Sequence, residues 1–336
     1  MQGTAAAGDQ QATVLCVGLN DVDLITVVER YPEEDSDQRG IEYRRQRGGN
    51  ASNTSTVLSH LHNCCEFLGV LPSCSSPEYS WLLEDFRRCG IITAGCVQSD
   101  VPLPMATVLV SRQTGSRTIV YCDNGFPELS HKQFVDSVMD RLHQYRWIHF
   151  ELRPKVDDVL RMLETANSQR AAMTSDVRHG AKATRGQGSY VISVEIEKPE
   201  CDRPERVMTL ADVVFISKDW ARSRGWTDMR SAVISARSLC RPGQVTVVVS
   251  PWAEEGAAAC QNDDVIVVPA CAPGDVVDTL GAGDTFVAGF IHARMRSSDL
   301  KLALTYACHL AGVKCTLAGY DGLRECADWQ KFEAKT

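Results

Sequence analysis

Short runs of β-branched and other apolar residues alternate along this chain with segments of helical periodicity, and no other feature of the sequence constrains the fold as strongly. Strands of a parallel sheet are buried on both faces, and each crossover between them needs a helix. The alternation therefore predicts a doubly wound α/β fold, with a mainly parallel sheet flanked by helices. The predicted strands are residues 14–17, 67–71, 147–150, 191–195, 213–217 and 245–249. The predicted helices are residues 51–62, 79–88, 156–165 and 227–239.

Two regions, residues 23–47 and 104–121, do not follow this alternation. The second alternates apolar and polar side chains around the turn Thr114-Gly115-Ser116, as a hairpin with one solvated face does. We expect the two regions to build a small antiparallel β lid. Residues 175–189 combine Gly, Arg, Lys and Ser without a period, which is typical of a surface loop.

Composition excludes several classes of function. The chain has 336 residues with a formal net charge of −8 and no long basic run, which argues against duplex nucleic acid or an anionic membrane as partner. No apolar stretch has the length of a membrane span, and residues 1–13 lack the features of a secretory signal, so we expect a cytoplasmic protein. Fourteen scattered cysteines without metal-ligand spacing predict reduced, mostly buried thiols. The expected organisation is a flexible N-terminal tail at 1–13, one α/β domain with its lid at 14–323, and a polar C-terminal tail at 324–336.

The strongest local motif is Asp-Thr-Leu-Gly-Ala-Gly-Asp-Thr-Phe at residues 278–286, which precedes an apolar helical segment. Small residues let backbone amides approach an anion at a helix N-terminus, so the motif is typical of a phosphate cradle. The helix dipole would hold Asp284 ionised, and an ionised carboxylate there suits a general base. The alternative is that Asp284 only caps the helix. A dinucleotide-binding fingerprint is less consistent, because Phe286 stands where the third glycine belongs.

A second cluster is Arg-Gly-Gly-Asn-Ala-Ser-Asn at residues 47–53, preceded by Asp23 and Asp35. Sugar hydroxyls both donate and accept hydrogen bonds, so a sugar site needs carboxylates and carboxamides, with glycines giving access to the backbone. The alternative is a solvated turn in which Asn50 caps the helix that begins at Ala51.

Together these blocks resemble the ribokinase-type (PfkB) carbohydrate kinases and, within that family, the members that phosphorylate fructose at O1. The resemblance extends from about Val14 to Leu323. It is carried, in chain order, by residues 15–19, 31–36, 46–53, 115–119, 193–199, 252–256 and 278–286. Several blocks in one order are more specific than any single block. The resemblance implies a ribokinase-like fold.

The resemblance also implies roles for individual residues. Those implied to hold the sugar are Asp23, Asp35, Gly49, Asn50 and Asn53. Those implied to contact ATP are Arg117, Lys218, Ala253, Glu254, Glu255, Gly256, Gly281, Ala282, Gly283 and Cys308, with residues 281–283 forming an anion hole and 269–273 lining an adenine pocket. Asp284 would be the catalytic base.

The resemblance implies magnesium carried with ATP, and potassium near Asp278. Many family members position magnesium with an Asn-x-x-Glu motif, but this chain has Ser-Lys-Asp-Trp at residues 217–220. Glu195 and Glu197 are candidates for holding magnesium through water. The alternative is that they are simply solvated at a strand end.

The implied function is ATP-dependent phosphorylation of D-fructose at O1, which gives fructose 1-phosphate and ADP. One alternative is another kinase of the same family, acting on ribose or adenosine. Another is a non-catalytic sugar or nucleotide sensor on the same fold. The exposed edge or apolar face of the lid also predicts a homodimer.

Overall fold

The computed structural model describes residues 13–178, 189–243, 246–271, 274–326 and 328–334. Its strands are β1 (Val14–Val17), β2 (Asp21–Val28), β3 (Glu42–Gly48), β4 (Cys65–Leu68), β5 (Val70–Pro72), β6 (Val97–Ser99), β7 (Met105–Ser111), β8 (Arg117–Cys122), β9 (Trp147–Glu151), β10 (Val191–Ile196), β11 (Val213–Ile216), β12 (Val247–Pro251), β13 (Ala257–Gln261) and β14 (Asp264–Val268). Its helices are α1 (Asn50–His60), α2 (Pro77–Arg88), α3 (His131–Val138), α4 (Val156–Arg178), α5 (Glu205–Met208), α6 (Lys218–Ser223), α7 (Met229–Leu239), α8 (Ala282–Arg294), α9 (Leu300–Cys315), α10 (Leu323–Cys326) and α11 (Trp329–Glu333). None of these described helices is long and apolar enough to cross a bilayer.

Eight strands form the main sheet, in the order β14-β13-β12-β11-β10-β9-β1-β4. Neighbouring strands from β4 to β12 run parallel, and β13 and β14 add antiparallel pairings at one edge. Alternate side chains of β1 enter opposite cores: Leu15 and Val17 pack on the face covered by α3, α4 and α7, whereas Val14 and Cys16 pack under α1, α8 and α9. The predicted doubly wound α/β fold, mainly parallel and flanked by helices, is confirmed.

The predicted strands agree with observed ones apart from local differences. The predicted strand at 67–71 is divided between β4 and β5 at Gly69, where a side chain would overlap the carbonyl of Gly18. Strand β5 then pairs with β6 in a small separate sheet. The strand predicted from residue 245 begins at Val247, and residue 245 lies outside the described part of the chain.

The predicted lid is a four-stranded sheet in the order β3-β2-β7-β8. Its outer pairs, β2–β3 and β7–β8, are antiparallel as predicted, but β2 and β7 run parallel. The sheet is therefore mixed, because two hairpins lie side by side with their first strands pointing the same way. Ile25, Ala106 and Val108 of the lid pack on Leu280, two residues before α8. This contact brings the lid to the motif at residues 278–286.

The segments predicted to be irregular contain more helix than expected. Helix α4 continues to Arg178, so it includes the first residues of the loop predicted at 175–189, and residues 179–188 lie outside the described ranges. In the predicted C-terminal tail, the ring of Trp329 packs 4.9 Å from that of Tyr306. Residues 1–12 of the predicted N-terminal tail are not described. All fourteen cysteines are free thiols, and seven of them are buried.

Candidate active site

The start of α8 combines a left-handed glycine with unpaired backbone donors. Gly281 precedes α8 with a φ of 73°, and a Cβ there would overlap the hydroxyl of Tyr320, so only glycine fits. The Ala282 amide donates to Thr279, whereas the amides of Gly283 and Asp284 have no acceptor among the described residues. A Cβ at Gly283 would meet open space. The first turn of α8 thus presents free N–H groups beside unfilled space, as an anion hole requires.

Asp284 lies in this first turn and is buried, with 7% of its surface exposed. Asn53 Nδ2 donates to Asp284 Oδ2 at 2.8 Å. Burial raises the pKa of Asp284 well above its ordinary value, and the negative charge of Glu195 raises it further. Desolvation and the neighbouring carboxylates therefore act on Asp284 in the direction opposite to the helix dipole.

The predicted sugar loop reaches the same place from the start of α1. Gly49 precedes the helix with a φ of 89°, and a Cβ there would overlap a backbone carbonyl. Asn50 is the first residue of α1, and its Nδ2 donates to Glu197 Oε2 at 2.9 Å instead of capping the helix. Three residues later, Asn53 reaches Asp284. One turn of α1 therefore directs two carboxamides at two carboxylates, of which one directly follows β10 and the other lies on α8.

Two buried carboxylates from β2 lie beside this loop. Burial raises the pKa of Asp23 to about 6, with a further contribution from the charge of Asp278. The pKa of Asp21, which sequence reasoning missed, is also raised well above its ordinary value by burial and by Asp23. A Cβ at Gly48 would overlap the Asp21 carboxylate and lie 2.7 Å from Asp23 Oδ2. Glycine at residue 48 thus lets β3 pass close to both acids.

Asp35 is not brought to this cluster. It lies exposed between β2 and β3 with a φ of 58°. It forms no hydrogen bond or ion pair with any residue the structure describes. The structure brings together the other four residues that were predicted to hold the sugar, which are Asp23, Gly49, Asn50 and Asn53.

Glu151, which sequence reasoning missed, fixes the geometry of the sugar loop. Its Oε2 accepts the amide of Leu19 at 2.9 Å and that of Ala51 at 3.1 Å, and its Oε1 accepts Arg153 Nη1 at 2.9 Å. The carboxylate thus joins the chain after β1 to the start of α1. The available signal was an acid directly after the strand predicted at 147–150, since polar residues at the carboxyl ends of parallel strands face the ligand side of such sheets.

At the other end of the motif, Asp278 is held by two cations. Lys314 Nζ, on a side chain with 0% exposure, lies 2.9 Å from Asp278 Oδ2 and 2.9 Å from the Asp278 carbonyl. Arg44 Nη2, from lid strand β3, lies 3.0 Å from the same Oδ2. Burial alone would raise the pKa of Asp278, but the charge and hydrogen bond of Lys314, together with hydrogen bonds from the Leu280 and Gly319 amides, lower it. Lys314 was missed because a single lysine in an apolar helix forms no motif.

Besides residues 281–283 of the anion hole, the residues predicted to contact ATP fall into two groups. Lys218, at the start of α6, places its Nζ 3.3 Å from Glu254 Oε1 and 2.9 Å from Glu255 Oε1. Ala253 and Gly256 bound this turn with positive φ values of 52° and 106°. A Cβ at Gly256 would overlap a backbone carbonyl of β14, so the turn needs glycine there. Lys218 and residues 253–256, all of which were predicted to contact ATP, therefore form one structural unit.

The second group approaches from the lid and from α9. Arg117 Nη1, on lid strand β8, donates to Thr279 Oγ1 at 2.6 Å, beside the anion hole. Cys308 is buried on α9. Next to it, the Cys271 Sγ lies 3.6 Å from His309 Nδ1. The predicted adenine pocket at 269–273 is described only as far as Cys271.

Comparison with known proteins identifies the family and the fold. The family model for pfkB family carbohydrate kinase matches residues 11–324. Ketohexokinase of Mus musculus is 38% identical over 316 residues, which cover 94% of this chain and 99% of the relative. Ribokinase from Giardia lamblia superimposes with a TM-score of 0.76 at 18% identity, covering 97% of this chain and 100% of that chain. Adenosine kinase from Sinorhizobium meliloti gives 0.73 at 18% identity, covering 97% and 100%. The two structures confirm the ribokinase-like fold.

Proposed function

The chain belongs to the pfkB family of carbohydrate kinases, and on this premise we propose that it transfers a phosphoryl group from ATP to O1 of D-fructose, giving fructose 1-phosphate and ADP. The similarity to mouse ketohexokinase favours a ketohexose as the acceptor. The observation that carries the proposal is the 2.8 Å hydrogen bond between Asn53 and Asp284. It joins the predicted sugar loop to the predicted base at the anion hole.

In the proposed reaction, the sugar hydroxyl oxygen attacks the γ-phosphorus while its proton passes to Asp284. The bond between the γ-phosphorus and the bridging oxygen breaks, and ADP leaves with that electron pair. The unpaired amides of Gly283 and Asp284 stabilise charge on the oxygens of the transferring group. Asn53 restrains the base through its Nδ2 donor, so that the carboxylate is positioned before the substrate arrives.

Magnesium carried with ATP fits the carboxylates near Asp284. Glu195 Oε2 is buried without a hydrogen-bond partner among the described residues, and His149 Nε2 lies 3.9 Å from it. Burial and the neighbouring charge of Glu197 raise the pKa of Glu195 to about 8. Carboxylate oxygens and water suit this hard cation, and Glu195 and Glu197 would hold it. The ion would supply charge neutralisation on the phosphates. No preformed group of three or more ligand side chains occurs in the described part of the chain.

The residues at Asp278 do not fit the potassium ion expected there. The carboxylate already pairs with the ammonium of Lys314 and the guanidinium of Arg44. A further cation at this carboxylate would lie against two positive charges. The proposed mechanism therefore includes no step through potassium.

The lid supports the proposed homodimer. All six residues of edge strand β8 are exposed, and Ile119, Val120 and Tyr121 expose 46%, 64% and 41% of their surfaces. Exposed apolar side chains on an unpaired strand edge favour pairing with a second copy. The same lid would exclude water from the bound phosphates, and Arg117 and Arg44 bring it to residues 278 and 279.

The test is ADP release with magnesium and ATP across fructose, other ketoses, ribose and adenosine, with the product identified by phosphorus NMR. Fructose 1-phosphate as the preferred product is the expected result. Preference for ribose or adenosine would assign the chain to another kinase of the family. Binding of ATP and sugar without ADP release would indicate a sensor. Dimerisation is checked separately by sedimentation of the full chain and of a Val120→Lys variant.

A further inference from the structure

A column of polar side chains lies in the main sheet directly behind Glu195, on the face that α1 and α8 cover. Strands β9 and β10 pair in parallel, with His149 opposite Ser193 and Glu151 opposite Glu195. Side chains two residues apart on a strand point to the same face. Trp147 and His149 of β9 therefore share this face with Ser193 and Glu195 of β10, and all four are buried.

Three of these side chains are joined by hydrogen bonds. Trp147 Nε1 donates to Ser193 Oγ at 2.8 Å, and His149 Nδ1 lies 2.9 Å from the same oxygen. The indole nitrogen can only donate, so the serine oxygen accepts from it and keeps its own proton for a second partner. Ser193 Oγ forms no other hydrogen bond with the described residues, so this proton goes to His149 Nδ1.

The serine hydroxyl thereby fixes the tautomer of His149. Burial lowers the pKa of His149 to about 4, so the ring is neutral near physiological pH and carries one proton. Because Nδ1 accepts the serine proton, the ring proton is on Nε2. The opposite tautomer would leave the serine hydroxyl buried without an acceptor, which is unfavourable.

The Nε2–H of His149 lies near an oxygen that also has no partner. His149 Nε2 and Glu195 Oε2 are both buried, neither forms a hydrogen bond with a described residue, and they lie 3.9 Å apart. This separation exceeds the length of a hydrogen bond by about 1 Å. A small rotation of the Glu195 side chain would therefore let the unpaired donor and the unpaired acceptor meet.

We propose that His149 is a positioning residue whose Nε2–H donates to Glu195 Oε2 and so holds this carboxylate in place for magnesium. This role rests on the proposed function, which assigns Glu195 to the ion. A neutral donor orients the carboxylate and leaves its charge available, whereas a cationic donor would repel the metal ion. Outer hydrogen-bond partners of metal-binding carboxylates change metal affinity by about 10- to 100-fold.

The tautomer is tested directly by NMR of the full-length protein with isotope-labelled histidine, in the absence of metal and nucleotide. We expect the His149 proton on Nε2, with the signal assigned by its absence from the spectrum of His149→Gln. A proton on Nδ1 would overturn the proposal, because the ring would then offer Glu195 no donor.

Binding of Mn²⁺ tests the effect on the metal without catalytic turnover. Mn²⁺ prefers the same oxygen ligands as magnesium, and electron paramagnetic resonance measures its binding to the protein saturated with β,γ-methylene-ATP, which is not cleaved. His149→Asn lacks a donor at the position of Nε2 and should weaken the Kd for Mn²⁺ by about tenfold or more. His149→Gln carries an amide nitrogen near that position and should restore most of the affinity.

The matched control is His131→Asn, at a histidine of α3 that hydrogen-bonds to Thr165, and this variant should keep the wild-type Kd. Glu195→Gln separates failure of this inference from failure of the proposed function. A weaker Kd for Glu195→Gln but not for His149→Asn would overturn the role of His149 and leave the magnesium assignment standing. An unchanged Kd for Glu195→Gln would overturn both. ADP release from fructose is measured separately.

The double variant shows whether His149 acts through Glu195. Adding His149→Asn to Glu195→Gln should cause no further loss of Mn²⁺ affinity, since the oxygen that His149 orients has already lost its charge. Losses that multiply would mean that His149 affects the metal by another route, and they would overturn the proposal.

Discussion

Asp278 and Asp284 stand at the two ends of the same motif, and their surroundings are opposite. Both are buried, but Asp278 pairs with Lys314 and Arg44, whereas Asp284 accepts one hydrogen bond from a neutral amide and faces other carboxylates. The pKa is lowered at Asp278 and raised at Asp284. A compensated charge holds a loop in place, while an uncompensated one is available for chemistry. We therefore propose that the first residue anchors the motif and that the second takes the proton.

The largest expected effect comes from removing the uncompensated charge. Asp284→Asn should lower kcat by about 10²- to 10⁴-fold, because the base is lost while the shape of the site is kept. The thermal midpoint should not fall, since a buried carboxylate without a cation is removed. Steady-state ADP release and thermal unfolding measure the two effects. The control is Asp263→Asn at the exposed turn after β13, and near-normal turnover of Asp284→Asn would remove that residue from the role of base.

Removing the cation beside Asp278 should instead lower the stability of the fold. Lys314→Met leaves the Asp278 carboxylate buried with only Arg44, and breaking a buried pair costs about 3–5 kcal/mol of folding free energy. Urea unfolding measures the loss. Lys301→Met, at an exposed position of the same helix α9, is the matched control and should change stability by less than about 0.5 kcal/mol.

A double variant tests whether the loss belongs to this pair. Adding Asp278→Asn to Lys314→Met removes the stranded carboxylate and should restore part of the stability. Losses that simply add would show that Lys314 acts through packing and not through Asp278.

The two ends of the motif were not equally predictable from sequence. Asn53 and Asp284 were placed together because each sits in a local block that is specific in itself. Lys314 and Glu151 were missed because their partners are distant: the Lys314 contact spans 36 residues and the contact from Glu151 to Ala51 spans 100. A single charged residue gives no pattern until the fold supplies its partner.

Local sequence preferences also conflicted with tertiary contacts. A residue such as Asn50 before a helix is favoured as a cap, yet its amide donates to Glu197, 147 residues away. The strands were easier to predict from sequence. Strand β1, for example, has the predicted bounds, because it is a wholly buried run of apolar residues. The parallel pairing of β2 with β7 was missed, because each hairpin specifies its own antiparallel pair and nothing local specifies how two hairpins meet.

The pH dependence of stability should follow the buried carboxylates near Asp284, which have no compensating cation. Burial raises the pKa of Glu195 from 4.5 to about 8, so its contribution to stability is fully present below pH 4.5 and is lost as the pH rises through about 8. In the protein without ligands, the free energy of unfolding should therefore fall across this range. Asp278 has the opposite sign, because its pKa is lowered and its contribution is lost only as the pH falls below 3.8.

The measurement is urea unfolding at a series of pH values for wild type and Glu195→Gln. The variant should show a flatter profile between pH 4.5 and 8, while Glu164→Gln at an exposed position of α4 should keep the wild-type profile. Parallel profiles for wild type and Glu195→Gln would mean that Glu195 does not remain uncompensated in the free protein.

The smallest expected effect separates binding of the sugar from binding of the nucleotide. Asn50→Ala removes one carboxamide from the proposed sugar loop and leaves the anion hole intact, so affinity for fructose should fall about tenfold and affinity for ATP by less than about twofold. Calorimetry with each ligand measures both. Ser59→Ala, near the other end of α1, loses a hydrogen bond to the Cys89 carbonyl and should alter neither affinity. Equal losses for both ligands would place Asn50 outside the sugar site. Asn53 would then be the one carboxamide of α1 that links the proposed sugar loop to the reactive end of the motif.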